Sequence, residues 1–206
     1  MCHARAVPSE GHDDVAEDAP KPQTQPPVGP SDELLALRSR EGDRAAFEIL
    51  ARRYQDRLYT YAVRMIGDTH EAADLTQETL VRAFRSLGNF DPQQRFGGWL
   101  FGIAAHVCKD WLRGRTRRPE HASEAVADAE APRAESDDPE LAEQRERVRE
   151  AVRRLPLKYR EVTVLHYLAE MGYDDVARSL GITAAAARRR ALRAREMLRR
   201  SLGERP

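Results

Sequence analysis

The chain has 206 residues, 33% charged and 41% hydrophobic, and its 34 basic side chains balance its 34 acidic ones. No apolar run approaches the ~20 residues that cross a bilayer, and no charged-then-apolar leader is visible, so a cytoplasmic protein with no membrane insertion is expected. Two cysteines, Cys2 and Cys108, exclude a disulfide framework.

The zero net charge hides a division along the chain. Residues 1–30 hold two basic and five acidic side chains, residues 31–118 fifteen and twelve, residues 119–140 one and eight, and residues 141–206 sixteen and nine. Asymmetry of this kind points to separate electrostatic roles. The basic last segment suits nucleic acid.

Met1–Pro30 contains six prolines and almost no large apolar residues, so it is expected to be a disordered tail. Metal binding by Cys2, His3 and His12 fits the sequence less well than a ligand-poor tail. Ser31-Asp32-Glu33 reads as a helix cap with an acidic first turn. Leu34, Leu37 and, after a break at Gly42, Phe47, Leu50, Tyr54, Leu58, Tyr61, Ala62 and Met65 recur at spacings of three and four. Gly67-Asp68 ends that run. A further helix starts near Thr69, carries Ala72, Leu75, Leu80, Phe84 and Leu87 inward, and stops at Gly88. A loop over Asn89–Gly98 leads to a helix over Trp99–Arg113, with Cys108 as a small core residue. The basic run ending at Arg118 closes this domain.

Residues 119–140, rich in Ala, Glu, Asp and Pro, read as a flexible acidic linker. Helices resume near Pro139. Leu141, Val148, Val152 and Leu155 form one stripe, and the run Tyr159–Leu168 follows Pro156. Tyr173–Leu202 then reads as a helix-turn-helix. Val176, Ala177 and Leu180 share a face, Gly181 takes a positive φ, Ile182 plugs the gap, and Thr183 caps the second helix. That second helix carries Arg188, Arg189, Arg190, Arg193, Arg195, Arg199 and Arg200. Such a helix enters the DNA major groove N-terminus first; a solvated basic face is the competing reading. No strand and no internal repeat is evident. The expected fold is all-α, with two small helical domains at 31–118 and 141–206.

Three stretches in this order resemble the extracytoplasmic-function (ECF) sigma factors of bacterial RNA polymerase: HEAADLTQETLVRAFRSL at His70–Leu87, RFGGWLFGIAAHVCKDWLR at Arg95–Arg113, and LPLKYREVTVLHYLAEMGYDDVARSLGI at Leu155–Ile182. The resemblance covers nearly everything from Ser31 to Leu202. It implies a sigma-2-like bundle and a sigma-4-like helix-turn-helix joined by a flexible linker, with no domain between them. It implies a non-catalytic initiation factor that binds core polymerase at the β′ clamp helices and the β flap, selects promoters and assists melting. No metal or cofactor is implied, and an anti-sigma factor is an expected partner.

The resemblance also assigns surfaces. Asp74, Gln77, Glu78, Arg82 and Arg85 match the clamp-docking face. On pattern alone, a solvated charged face describes them as well. Gln93, Gln94, Arg95, Phe96, Trp99, His106, Lys109, Arg113, Arg115, Arg117 and Arg118 fall in the part that melts and reads the minus-ten element. Bases there are captured by stacking while cations hold phosphates. Trp99, Phe101 and Trp111 fit a core position equally well. Thr183, Ala184, Ala185, Arg188, Arg189, Arg190 and Arg193 face the minus-thirty-five element.

The chain departs from the family at several of these positions. Gly102 and Ala105 stand where arginine is common, His106 where asparagine is frequent, and Ala187 where a bulky apolar residue is usual. The alanine run offers few base-reading groups. The acidic linker suits a cleft built to hold nucleic acid; a solubilising spacer is the alternative. A helix-turn-helix regulator would leave the sigma-2-like half unexplained. An enzyme would need clustered His and Cys residues, and the six histidines show no such spacing. An interaction adaptor would leave the arginines as solvated surface.

Overall fold

The computed structural model describes residues 29–117 and 139–203. The expectations of a disordered tail and of a flexible linker, and the roles of Cys2, His3, His12 and Arg118, lie outside those residues. So does nearly all of the linker, although its last two residues already belong to a helix.

Helix α1 spans Asp32–Arg40, α2 Arg44–Ile66 and α3 Thr69–Ser86. Their starts follow the expected chemistry. Ser31, Asp43 and Asp68 each accept an N–H three residues on, from Leu34, Ala46 and Glu71. Gly67 ends α2 at φ 77°, where an L side chain is strained. A short 3₁₀ turn, Leu87–Asn89, follows α3, and α4 then runs from Phe96 to Arg117.

Helix α4 therefore begins three residues before, and ends four residues after, the span expected from sequence. Two contacts favour the early start. Glu33 of α1 accepts the Phe96 N–H at 3.2 Å, capping the helix from outside. The Tyr54 hydroxyl lies 2.9 Å from where a Cβ on Gly97 would stand. Tertiary contact thus overrides the poor helix propensity of the two glycines.

The core of this half is aromatic. Tyr54 packs edge-on against Phe96 and Phe101, Tyr61 against Phe101, and Phe90 against Phe96, with centroids 5.5–6.4 Å apart. The Tyr54 hydroxyl donates to Asp32 Oδ2 at 2.6 Å, tying α2 to the start of α1. Two expected core positions face outward. Leu34 is 48% exposed, and Phe84 is 43% exposed, with its ring edge-on to Phe47 at 5.0 Å.

Helix α5 is Pro139–Arg154, and α6, Leu157–Thr163, passes into a π turn at Val164–Leu168. The stripe of α5 is covered only in its last turns. Val152 and Leu155 are buried, whereas Leu141 and Val148 are exposed. Helix α7 is Tyr173–Leu180 and α8 is Ala184–Leu202. Between them Gly181 adopts φ 64°, Ile182 packs on the core, and the Thr183 hydroxyl accepts the Ala186 N–H at 3.2 Å, as the motif requires. No strand occurs among the described residues.

The two halves pack together. Helix α7 lies against α4, while α5 and the π turn lie against α2. Arginines bind carbonyls across the seam in both directions. Arg57 of α2 donates to Ala169 O at 2.9 Å, and Arg160 of α6 donates to Met65 O at 2.7 Å.

Candidate nucleic-acid interface

Three surfaces collect the residues singled out above. The first is the outer face of α3. Ala72, Leu75, Thr76, Thr79 and Ala83 point inward. The Thr76 and Thr79 hydroxyls donate back to Ala72 O and Leu75 O, so these polar side chains are satisfied inside the bundle. Asp74, Gln77, Glu78, Arg82 and Arg85 are all exposed. Arg82 pairs with Glu78 at 2.6 Å and lies 3.8 Å from Asp110 of α4. Val81, 47% exposed, stands on the same helical face as Asp74, Gln77, Glu78 and Arg85. Sequence reasoning missed it. The available signal was an apolar residue at i+7 from Asp74, out of phase with the inward stripe.

The second surface is the loop before α4 and the helix itself. Asp91 Oδ1 accepts the Gln93 N–H at 2.9 Å, which turns the loop so that Gln93 and Arg95 are exposed. Phe96 is 1% exposed and locked between Tyr54 and Phe90. It is a core residue, and the expectation that it meets nucleic acid fails because no face of its ring is open. Trp99 is half-buried, resting on Phe90 and Phe96 with centroids 5.3 and 5.6 Å away. Phe101 belongs to the core, and the Trp111 indole N–H donates to Glu71 Oε2 at 2.8 Å. Exposed His106 has its Nδ1 2.8 Å from Gly102 O.

The cations of this helix have different settings. Lys109 reaches Glu161 of α6 at 2.9 Å, and Glu161 is only 4% exposed. Arg113 is exposed near Asp110, and Arg115 lies over the Trp111 ring. Arg117 is in the last turn of α4. Burial, with Glu161 adding to it, pushes the Cys108 thiol up to about 12, so this cysteine is inert at neutral pH.

The third surface is α8. Ala187, Ala191 and Ala194 face the core. Ala185, Arg188, Arg189 and Arg193 face solvent, Ala184 and Arg190 are half-buried, and Thr183 is exposed at the cap. Arg188 lies over the Tyr173 ring at 5.6 Å, and Arg193 pairs with Glu196 at 2.8 Å. Leu192, 54% exposed, sits among these arginines. The first two surfaces share the α3–α4 face of one half, and the third lies apart on the other half.

Comparison with known proteins accounts for both halves. The family model Sigma-70 region 2 matches residues 50–118, and Sigma-70, region 4 matches residues 145–198. The chain is 32% identical to the RNA polymerase sigma-H factor of Pseudomonas aeruginosa, over 83% of this chain and 93% of that protein. It is 31% identical to the ECF RNA polymerase sigma factor SigW of Bacillus subtilis, over 79% and 92%. The chain belongs to the ECF sigma factors. As a sigma factor it directs RNA polymerase to specific promoters. A solved structure of CnrH in complex with the cytosolic domain of CnrY is also similar, with a TM-score of 0.64 at 29% identity, covering 85% of this chain and 99% of that one. Among the described residues of this sigma factor, no helix is long and apolar enough to cross a membrane.

Proposed function

We propose that the three surfaces divide the work of initiation. The outer face of α3 docks on the β′ clamp helices of core polymerase, with Asp74, Gln77, Glu78, Arg82 and Arg85 as a polar rim around Val81. An apolar centre within a charged rim is the usual plan of a protein interface. The loop and outer face of α4 hold the melted minus-ten strand, with Trp99 available for stacking and Arg113, Arg115, Arg117 and Arg118 for phosphates. Helix α8 enters the major groove of the minus-thirty-five element, where Arg188 and Arg189 lie nearest the base edges.

In this reading the chain is non-catalytic. Residues 31–118 serve polymerase and the minus-ten element, residues 119–140 thread the active-site cleft, and residues 141–206 serve the β flap and the minus-thirty-five element. An anti-sigma factor is its regulator, as the complex of CnrH with CnrY suggests.

The observation that carries the reading is the presence in one chain of two separate faces, a mixed-charge one on α3 and a basic one on α8. Transcription with core polymerase and genomic DNA as template tests it, with products mapped by sequencing. The chain should direct initiation at a discrete set of sites. A folded D74K/E78K double variant should lose both polymerase pull-down and those transcripts. Undiminished pull-down by that variant removes α3 as the docking face.

A further inference from the structure

The backbone just before α7 is irregular in two places. The Ala169 N–H bonds Val164 O at 2.9 Å, five residues back, which makes the π turn. Glu170 then takes φ 54°, a left-handed conformation uncommon for a residue with a side chain. The chain is thereby folded back on itself. Met171 O comes to 2.8 Å from His166 Nδ1, and the Tyr173 ring lies on the buried His166 ring, centroids 4.0 Å apart and planes 20° off parallel. Both kinds of irregularity gather at functional sites.

The same tyrosine ring meets the second helix of the motif. The Arg188 guanidinium carbon stands over it, 5.6 Å from the centroid, within reach of the attraction between a cation and a ring face. Arg188 follows inward-facing Ala187, so it leaves α8 about a quarter turn from the buried side, at the flank of the helix. A long side chain on a flank reaches the groove floor in few of its rotamers. Holding it beforehand lowers the ordering cost of binding. A ring engages the face of the guanidinium, whereas guanine O6 and N7 are met by two N–H groups along its edge.

We propose that Tyr173 is a positioning residue for promoter recognition: braced by His166, its ring aims the Arg188 guanidinium at one guanine of the minus-thirty-five element. The inference rests on the reading of α8 as the helix that enters the groove. Tyr173 acts through Arg188 and needs no contact with the base.

The test uses holoenzyme assembled from core polymerase and the full chain. Its probe is a pool of duplex DNA randomised upstream of a promoter located by transcript mapping, with the bound molecules sequenced. Arg188→Ala should erase a guanine preference at one upstream position and lower affinity for the guanine-bearing duplex about tenfold. Tyr173→Leu should flatten the same position and no other, with a loss of about two- to fivefold, the worth of an exposed cation–ring contact. Tyr173→Phe should keep the preference, because the ring and not the hydroxyl does the aiming. Adding Tyr173→Leu to Arg188→Ala should cost nothing further. In the unmodified chain, the Arg188 Nε–H resonance, assigned by its absence from Arg188→Ala, should be shifted upfield by the ring.

A helical Tyr173→Leu chain that keeps the guanine preference, or that weakens binding to every sequence alike, overturns the proposal. So does a Tyr173→Phe chain that loses the preference, or an additive loss in the double variant. An Arg188 resonance without the ring shift overturns it whether or not Tyr173→Leu folds. Failure of the underlying reading is separate. A parent holoenzyme with no upstream base preference removes α8 as a reader of bases, while the resonance still reports whether the ring holds Arg188.

Discussion

The two halves solve the same packing problem with different side chains. The half containing α1–α4 fills its centre with Tyr54, Tyr61, Phe90, Phe96 and Phe101. The half containing α5–α8 uses Val162, Val164, Leu165 and Val176, and α8 turns only Ala187, Ala191 and Ala194 inward. Large rings hold helices apart and fix them by shape. Alanines let a helix sit close with little inward bulk, so the long side chains of α8 lie on its outer and flanking faces. The surfaces differ accordingly. The outer face of α3 mixes both signs around an apolar spot, whereas the charges of α8 are arginines with Glu196 as the acid among them, around exposed Leu192. The contrast separates a face suited to a protein partner from one suited to a polyanion.

The sharpest way to break this comparison is to remove a ring. Phe101 is 1% exposed and touches both Tyr54 and Tyr61, so Phe101→Ala should cost about 3–5 kcal/mol by denaturant titration. A cost below that range would mean that the aromatic cluster can collapse and does not fix the first half by shape.

Next in size come the arginines of α8. Alanine at whichever of Arg188 and Arg189 reads a base should weaken binding to a cognate upstream duplex by about 1–3 kcal/mol and relax one position. A phosphate-only contact should instead weaken all sequences alike and lower the salt slope by about one. Equal losses on cognate and scrambled duplex at both positions would move all selectivity to the other half.

The smallest effect is at the cap. Thr183→Ala removes the acceptor for the Ala186 N–H and should cost about 1 kcal/mol of stability. It should not change the affinity for single-stranded DNA. A larger loss of duplex binding than of stability would show that the cap itself reaches the backbone.

The sequence made legible whatever rests on local rules. The caps at Ser31 and Thr183, the stops at Gly67 and Gly181, and the inward stripe of α2 follow from side-chain spacing and backbone preference alone. The outer residues of α3 rest on the family resemblance, because their spacing alone fits a solvated charged face as well. What escaped depends on partners distant in the chain. The early start of α4 needs Glu33 and Tyr54, and the fate of Phe96 needs Tyr54 and Phe90. Lys109 reads as a phosphate contact until Glu161, on another domain, is placed beside it. The half-covered stripe of α5 belongs to the same class, because periodicity shows that a face is apolar and not how far its neighbour extends.

The crossed arginines also bear on how the protein is made. Met65 O, near the end of α2, is bonded by a residue 95 positions further along, and Ala169 O by one 112 positions earlier. A ribosome adding about 5–20 residues per second leaves the α2 terminus without Arg160 for roughly 5–20 s. During that interval the Met65 carbonyl of the first half is left to water. Arg57, already emerged, waits with it for the second half to arrive.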